Sequence, residues 1–433
     1  MTPEPLLWLD ALQGSGIRPG LSRMRALLRE LGNPERACPS IIVAGTNGKG
    51  STSSTLASIL NASGYRTGLY TSPHLVELRE RWMIGDSMIS TEMLCDAIEQ
   101  LHAAADRADI VPTYFEALTL LAFIAFKDAQ CEVMVLEVGM GGRLDATNVV
   151  RPLAALITAI GFDHTEFLGT TIRQIAGEKA GVIHRGAIVL TSNDDPRVLG
   201  VLRHRAAMFG NPFHVVTSRH PTPLPGDFQE RNAALAVRAA EELAPLLPKR
   251  SAGGPPAGPP PARRHVAGNR QRAAGGPADE PSALRPAQIT RESIERGVAM
   301  TRWRGRLEKI ERDGKTIWID GGHNAHAIAA IVPFIAENVP PPRLLVFGIM
   351  SDKNVAEVTS ALFPLFDAII ATEPYPPRSE SASRLVLPAG DRGVEEAAPF
   401  RAIERALASD YSSIVIAGSL YLAGAAIEYL DER

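Results

Sequence analysis

The run Ile41-Ile42-Val43 leads directly into Gly45-Thr46-Asn47-Gly48-Lys49-Gly50-Ser51-Thr52, and Ser51 to Ser63 then reads as a helix. A strand that is apolar on both faces and turns through glycines into a helix belongs inside a parallel sheet covered on both sides. Its turn offers backbone N–H groups and the positive end of a helix dipole, which together form an anion cradle. Glycine suits positions where the backbone takes positive φ or comes close to a phosphate. Lys49 supplies a point charge for β- and γ-phosphates, and the Ser51 hydroxyl can bind Mg2+. The spacing departs from G-x-x-x-x-G-K-[ST], because Gly50 separates Lys49 from Ser51.

The remainder of such a sheet is visible along the chain. Thr67 to Tyr70, Val133 to Glu137, Ala154 to Ile157 and Ala187 to Leu190 read as strands. Thr91 to Ala105, Tyr114 to Asp128 and Ile172 to Gly181 carry helical periodicity between them. The alternation predicts an α/β fold, with a P-loop-type parallel-sheet ATP-binding domain. Past Lys249 the composition changes: Ser251 to Pro286 is Gly, Pro, Ala and Arg with few large apolar residues. Such a segment buries too little apolar surface to offset its ordering entropy, which predicts a flexible insertion over about 249–287. Strand patterns then resume at Leu344 to Phe347, Ala368 to Ala371 and Ile414 to Ile416, with helices at Ala325 to Glu337 and Leu420 to Tyr429. The expected division is 1–290 and 291–433, the second part a smaller Rossmann-like α/β domain; a 433-residue chain suits two domains.

Charge and cysteine usage narrow the function classes. The 45 Lys and Arg against 48 Asp and Glu give a net charge of −3, which lacks the basic footprint of a nucleic-acid-binding coat. Three scattered cysteines, Cys38, Cys95 and Cys131, form no disulfide framework or zinc pattern. No basic start with an apolar run opens the chain and no stretch matches a membrane span, so a soluble cytoplasmic enzyme without membrane or nucleic-acid partners is expected.

Three further residues stand out. Glu137 closes an apolar strand and precedes Gly139, Gly141 and Gly142, at the sheet end where ligands bind. Asp163-His164 follows the next strand and should share that rim. Lys179, near a helix end, reads on sequence alone as a cation favouring the dipole.

These motifs together resemble the folylpolyglutamate synthase/dihydrofolate synthase family within the Mur ligase superfamily. The match is carried by Gly45 to Thr52, Tyr70 to Leu75 (YTSPHL), Leu136 to Val149 (LEVGMGGRLDATNV), Asp163 to Gly169 (DHTEFLG) and Ile175 to Ile183 (IAGEKAGVI). Trp303 to Glu308 (WRGRLE), Asp320 to His326 (DGGHNAH), Asp352-Lys353-Asn354 and Ala417-Gly418-Ser419 extend it through the second domain. GTNGKGS and EKAG belong to the superfamily, while SPHL and GGRLDATN point to the folate branch. Gly322 stands where alanine is usual, and Asn354 where many relatives have aspartate.

The resemblance implies roles residue by residue. ATP is the co-substrate, its phosphates held by Asn47, Gly48, Lys49, Gly50 and Ser51 and its other contacts made by Asn232, Arg306 and Asp320. Ser51 and Glu137 would bind one Mg2+ and His164 a second, with Lys179 carbamylated so that a cation becomes an oxygen ligand. Lys49, Lys179, His164 and His323 would carry the catalysis. Acceptor contacts would come from Ser72, Pro73, Thr113, Tyr114, Phe115, Arg143, Leu144 and Asp145, with Pro19, Gly20 and Leu21 helping to form the pteroate pocket. The implied reaction is ATP-dependent addition of L-glutamate to dihydropteroate and/or a (tetrahydro)folate through an acyl phosphate; a monomer is the default expectation. The alternative is another amino-acid ligase of the superfamily, acting on a nucleotide-linked muramyl acceptor.

Overall fold

The computed structural model describes residues 3–16, 18–249, 287–375 and 378–432. The insertion expected over about 249–287 falls almost wholly outside the described residues.

Two sheets carry the fold. The first comprises β1 (Ser40–Ala44), β2 (Thr67–Tyr70), β3 (Trp82–Ile84), β4 (Ser87–Met88), β5 (Val133–Glu137), β6 (Ala154–Ile157), β7 (Ile188–Thr191) and β8 (Phe213–Val215). The second comprises β9 (Glu308–Arg312), β10 (Lys315–Asp320), β11 (Arg343–Phe347), β12 (Ala368–Ala371), β13 (Gly393–Glu395) and β14 (Ser413–Ala417). The first sheet is ordered β4-β3-β2-β5-β1-β6-β7-β8, parallel except for the β3–β4 edge. The second is ordered β13-β12-β11-β14-β10-β9, parallel except for β9.

The central strand shows why. Every residue of β1 is buried, with Ile41 and Val43 on one face and Ile42 and Ala44 on the other. Ile41 and Val43 pack with Leu56, Ile59 and Leu60 of the helix Lys49–Ala62 and with Leu235 and Ala239 of Asp227–Leu243. Ile42 and Ala44 pack with Ile175 and Ala176 of Ile172–Ala180 and with Leu202 of Pro196–Phe209. Fully burying one such side chain stabilises by roughly 1.5–3 kcal/mol, so a slip of one residue would forfeit both faces. β1 lies between β5 and β6, with β2 beyond β5 on one side and β7 beyond β6 on the other. The winding direction therefore reverses at β1 and leaves a crevice beyond its carboxyl end.

The structure differs from the 290/291 division. Helix Arg291–Met300 buries Ile294 and Val298 in the same core as Ile59 and Leu60. Its Gly297 meets the backbone of Lys49–Ala62 so closely that a Cβ there would stand 2.4 Å from Ile59 Cα. The helix continues the first layer, and the crossing to the second sheet runs from Thr301 to Leu307. No helix among the described residues is long and apolar enough to cross a membrane.

Candidate active site

The carboxyl ends of both sheets line one cleft of about 700 Å3. From the first come the loop after β1, Ser72 and Pro73 after β2, Glu137 and Gly139 at the end of β5, and Asp163 and His164 after β6. From the second come Asp320 to His323 after β10, Asp352 and Lys353 after β11, and Ser419 to Tyr421 after β14.

The phosphate loop is shaped by what its glycines exclude. Gly48 has φ +85°, and a Cβ there would lie 2.4 Å from Asn232 Oδ1. A Cβ on Gly50 would lie 2.5 Å from the Trp303 ring. Asn232, buried at the start of Asp227–Leu243, donates from Nδ2 to Gln229 Oε1 at 2.9 Å and is thereby fixed against the loop. Lys49 Nζ reaches back to Thr46 O at 3.0 Å, a bond that a triphosphate in the cradle would replace. Ser51 is buried on the first turn of Lys49–Ala62.

Lys179 does lie in the last turn of Ile172–Ala180, but it is not the solvated cation that the sequence alone favours. It is 3 % exposed and its Nζ donates to Gly45 O at 2.7 Å, beneath the phosphate loop. Burial lowers its pKa to about 7, and nearby Lys49 adds to the shift. Glu137 is also buried; its Oε2 accepts from Ser72 N at 3.1 Å, and burial raises its carboxyl pKa against the pull of Lys49. His164 sits at φ +49° and caps a one-turn helix with its backbone. Burial drives its imidazole down to about 4, so at neutral pH it carries a lone pair rather than a charge. Among the described residues no group of three or more His, Cys, Asp or Glu is placed to hold a metal ion.

From the second sheet, Asp320 is 3 % exposed and accepts from Leu307 N at 2.9 Å and Gly322 N at 2.7 Å. A Cβ on Gly322 would stand 2.7 Å from Asp320 Oδ1, so glycine there gives the carboxylate room to close the turn. Arg306 lines the cleft and acts on both Asp320 and Glu137. His323 donates from Nδ1 to Gly321 O, 2.9 Å away, and its Nε2 lies 3.7 Å from Asp163 Oδ2.

The sequence reading missed a hub at Asp163. Its carboxylate takes Lys353 Nζ at 2.8 Å and Asn324 Nδ2 at 3.0 Å, and Asn324 and Asn47 exchange two hydrogen bonds of 3.1 Å. Burial alone would raise the Asp163 carboxyl, but His323, His164 and Lys353 outweigh it and hold it well below the usual carboxylate range. The partners lie 161 and 190 positions away, and no local signal connects them.

The residues expected to touch the acceptor divide. Ser72 and Pro73 line the cleft. Thr113 Oγ1 caps Tyr114–Asp128 by accepting Glu116 N, while Glu116 accepts Thr113 N at 2.8 Å. Arg23 binds both Glu116 oxygens and also Arg18 O, which draws the Pro19-Gly20-Leu21 segment to the helix start bearing Tyr114 and Phe115. Phe115 packs on Gly139, where a Cβ would lie 2.3 Å from its ring. Asp145 is likewise consumed locally, accepting from Gly139 N, Met140 N, Thr147 N and Thr147 Oγ1 at 2.6–3.1 Å. It shapes the cleft wall rather than facing into it. Arg143 is tied to Glu178 Oε1, and Leu144 is 38 % exposed beside it in sequence.

Comparisons with known proteins agree with this geometry. The Mur ligase middle domain matches residues 43–210, and the Mur ligase glutamate ligase domain matches 305–420. The dihydrofolate synthase/folylpolyglutamate synthase of Bacillus subtilis is 31 % identical over 84 % of this chain and 83 % of its own length. The folylpolyglutamate synthase of Lacticaseibacillus casei is 32 % identical over 93 % and 92 %. Among solved structures, Escherichia coli FolC in complex with DHPP and ADP superposes with a TM-score of 0.82 at 27 % identity, covering 100 % of this chain and 99 % of that one. The Mycobacterium tuberculosis folylpolyglutamate synthase complexed with ADP and AMPPCP gives 0.82 at 30 % identity, covering 99 % and 98 %. With two matching domain models and relatives of this identity aligned over most of both chains, the protein belongs to the folylpolyglutamate synthase/dihydrofolate synthase family of Mur ligases.

Proposed function

We propose that this chain is an ATP-dependent carboxylate–amine ligase that joins L-glutamate to dihydropteroate, to a (tetrahydro)folate, or to both, working on small molecules as a monomer. The observation that carries this reading is the meeting, across one cleft, of the phosphate loop, Glu137 and buried Lys179 with Arg306, Asp320 and His323. Closure of a second domain over the phosphate loop can complete a catalytic set and exclude water from the activated intermediate.

The acceptor carboxylate attacks the γ-phosphorus of ATP to give an acyl phosphate and ADP. The free α-amine of glutamate then displaces phosphate and leaves an amide. The protein's share is positioning and charge neutralisation. Lys49 and the amides from Gly48 to Ser51 hold the transferring phosphate, Asn232 and Asp320 orient the nucleotide, and Arg306 and His323 approach from the second domain.

Two Mg2+ ions fit this donor set. The buried Glu137 carboxylate and the Ser51 hydroxyl are oxygen ligands, and His164 is neutral with a free lone pair at pH 7. Two side chains of the Glu and His type do not complete a site, and a carbamylated Lys179 would supply the missing carboxylate. An amine with a pKa near 7 is in good part neutral, the form that reacts with CO2. When bound, the metals would screen the triphosphate charge.

Purified protein incubated with ATP, Mg2+, glutamate and each acceptor in turn tests the proposal. Glutamate-dependent ADP release and a product heavier by one glutamyl residue are expected with a pterin acceptor. The same products with a muramyl acceptor alone would overturn it.

A further inference from the structure

The second sheet carries a feature that the phosphate chemistry leaves unused. Tyr375 follows β12 and Tyr421 follows β14, and their rings stack with 4.7 Å between centroids and 19° between planes. The two rings remain 43 % and 39 % exposed. Both are fixed from below. Tyr375 N donates to Ser379 Oγ at 2.7 Å, and Tyr375 O accepts from Arg378 N and Ser379 N. Ser351 donates from N and Oγ to Arg378 O at 3.0 Å, which ties this turn to the loop bearing Lys353. Ser419, 1 % exposed, caps the helix Leu420–Asp431 by accepting Tyr421 N at 3.1 Å.

Tyr421 stands on the acceptor side of the cleft, and Tyr375 stacks on it from just outside the lining. One turn beyond Tyr421, Gly424 lies against the Ser72–Leu75 segment so tightly that a Cβ would be 2.1 Å from Leu75 O. Tyr421 lines the cleft together with Ser72 and Pro73. Tyr114 of the first domain shares this neighbourhood: burial pushes its phenol up, Arg81 opposes, and Tyr421 and Tyr375 are among the groups that push it further. The nucleotide side is lined differently, by Gln229, Asn232 and Ile331. Two stacked rings with their surface half open match a flat conjugated ligand, since aromatic faces pair offset or edge-on and gain beyond simple burial.

We infer that Tyr375 and Tyr421 form a shelf binding the flat aryl portion of the carboxylate acceptor, so that the second domain supplies part of the acceptor site. This rests on the acceptor class given under Proposed function. It also explains how an aryl carboxylate is held at the junction: Tyr114 and Phe115 approach from one domain and the shelf from the other.

Pteroate binding, read by its fluorescence in the presence of ADP, tests the shelf directly. Tyr421→Ala and Tyr375→Ala should each weaken pteroate by about tenfold, and Tyr421→Phe and Tyr375→Phe by no more than about twofold, because the ring and not the hydroxyl makes the contact. ADP affinity, measured by calorimetry on the same samples, should stay within about twofold and report an intact fold. Unchanged pteroate binding in both alanine variants would overturn the inference, as would an effect confined to the KM for glutamate. A wild-type protein that binds pteroate yet releases no ADP with glutamate would overturn the ligase reading and leave the shelf standing. One that does not bind pteroate would overturn both.

Discussion

Lys353 Nζ lies 2.8 Å from Asp163 Oδ1, joining the loop after β11 to the loop after β6 with both side chains under 10 % exposed. The pair bridges the two domains beside His164 and His323. Removing one partner of a buried pair strands the other charge, at a cost of roughly 3 kcal/mol. Lys353→Met should lose about that much in denaturant unfolding and give a more open particle by X-ray scattering, whereas Lys353→Arg should retain most of both. A Met variant as stable and compact as the parent would show that the bridge holds nothing.

The same pair sets an acid limit. The Asp163 carboxyl is held well below its ordinary range by His323, His164 and Lys353 despite burial. A depressed carboxylate contributes stability that is complete above its unfolded pKa of about 3.9 and is lost as pH falls below it. Neutralising Asp163 as Asp163→Asn should therefore lower stability at pH 7 and narrow the gap to wild type below about pH 4. Parallel acid-unfolding curves would contradict this.

Lys179, with a pKa lowered to about 7 chiefly by burial, should become more reactive toward CO2 as pH rises, because the neutral amine grows from about one-tenth at pH 6 to about nine-tenths at pH 8. A 13C-bicarbonate sample should show a carbamate resonance that strengthens over this window and vanishes in Lys179→Met. The variant should lose ligation by about a thousandfold, as expected for loss of a group that acts directly on transition-state charge. A fully active Lys179→Met enzyme would exclude the lysine from the chemistry.

Gly48→Ala would place a methyl 2.4 Å from Asn232 Oδ1 on a backbone at φ +85°. The left-handed strain alone costs about 1–2 kcal/mol, and the displaced asparagine adds to it. The expected result is a KM for ATP raised by tenfold or more with little change in the KM for the acceptor, checked by steady-state kinetics.

Asp145→Asn should do the reverse. An amide cannot accept all four hydrogen bonds that the carboxylate receives from Gly139, Met140 and Thr147, so the wall behind Phe115 loosens at a cost of roughly 1–3 kcal/mol. Acceptor KM should rise while ATP KM holds. Equal effects on both would mean that the loop serves the whole cleft.

Legibility in the sequence followed distance along the chain. The strands built from β-branched runs, such as Ser40–Ala44 and Ser413–Ala417, were readable because both of their faces are buried. β9 and β10 were not named: Glu308–Arg312 is a charged, half-exposed edge, although Asp313-Gly314 at φ +49° and +75° is a hairpin turn that its residue types announce. Helix Arg291–Met300 was not named, and its apolar face says that it packs, not against what. The phosphate loop and Glu137 were legible from position alone. Lys179 was not, since only the folded chain brings it under Gly45, 134 residues away. Thr113 and Asp145 show what a motif leaves out: both are hydrogen-bonded within their own loops, a local role that the residue types alone do not announce.

Trp303 rests on Gly50, and the chain enters the second sheet at Glu308, having passed Gly305 at φ +66° and Leu307 at φ +47°. Any swing of one lobe against the other has to turn about this short hinge. Arg306 lies within this segment, between Gly305 and Leu307, whereas Lys353 and Tyr421 follow β11 and β14. A swing about it would move Lys353 and Tyr421 relative to the first sheet while Arg306 stays tied to the connection itself.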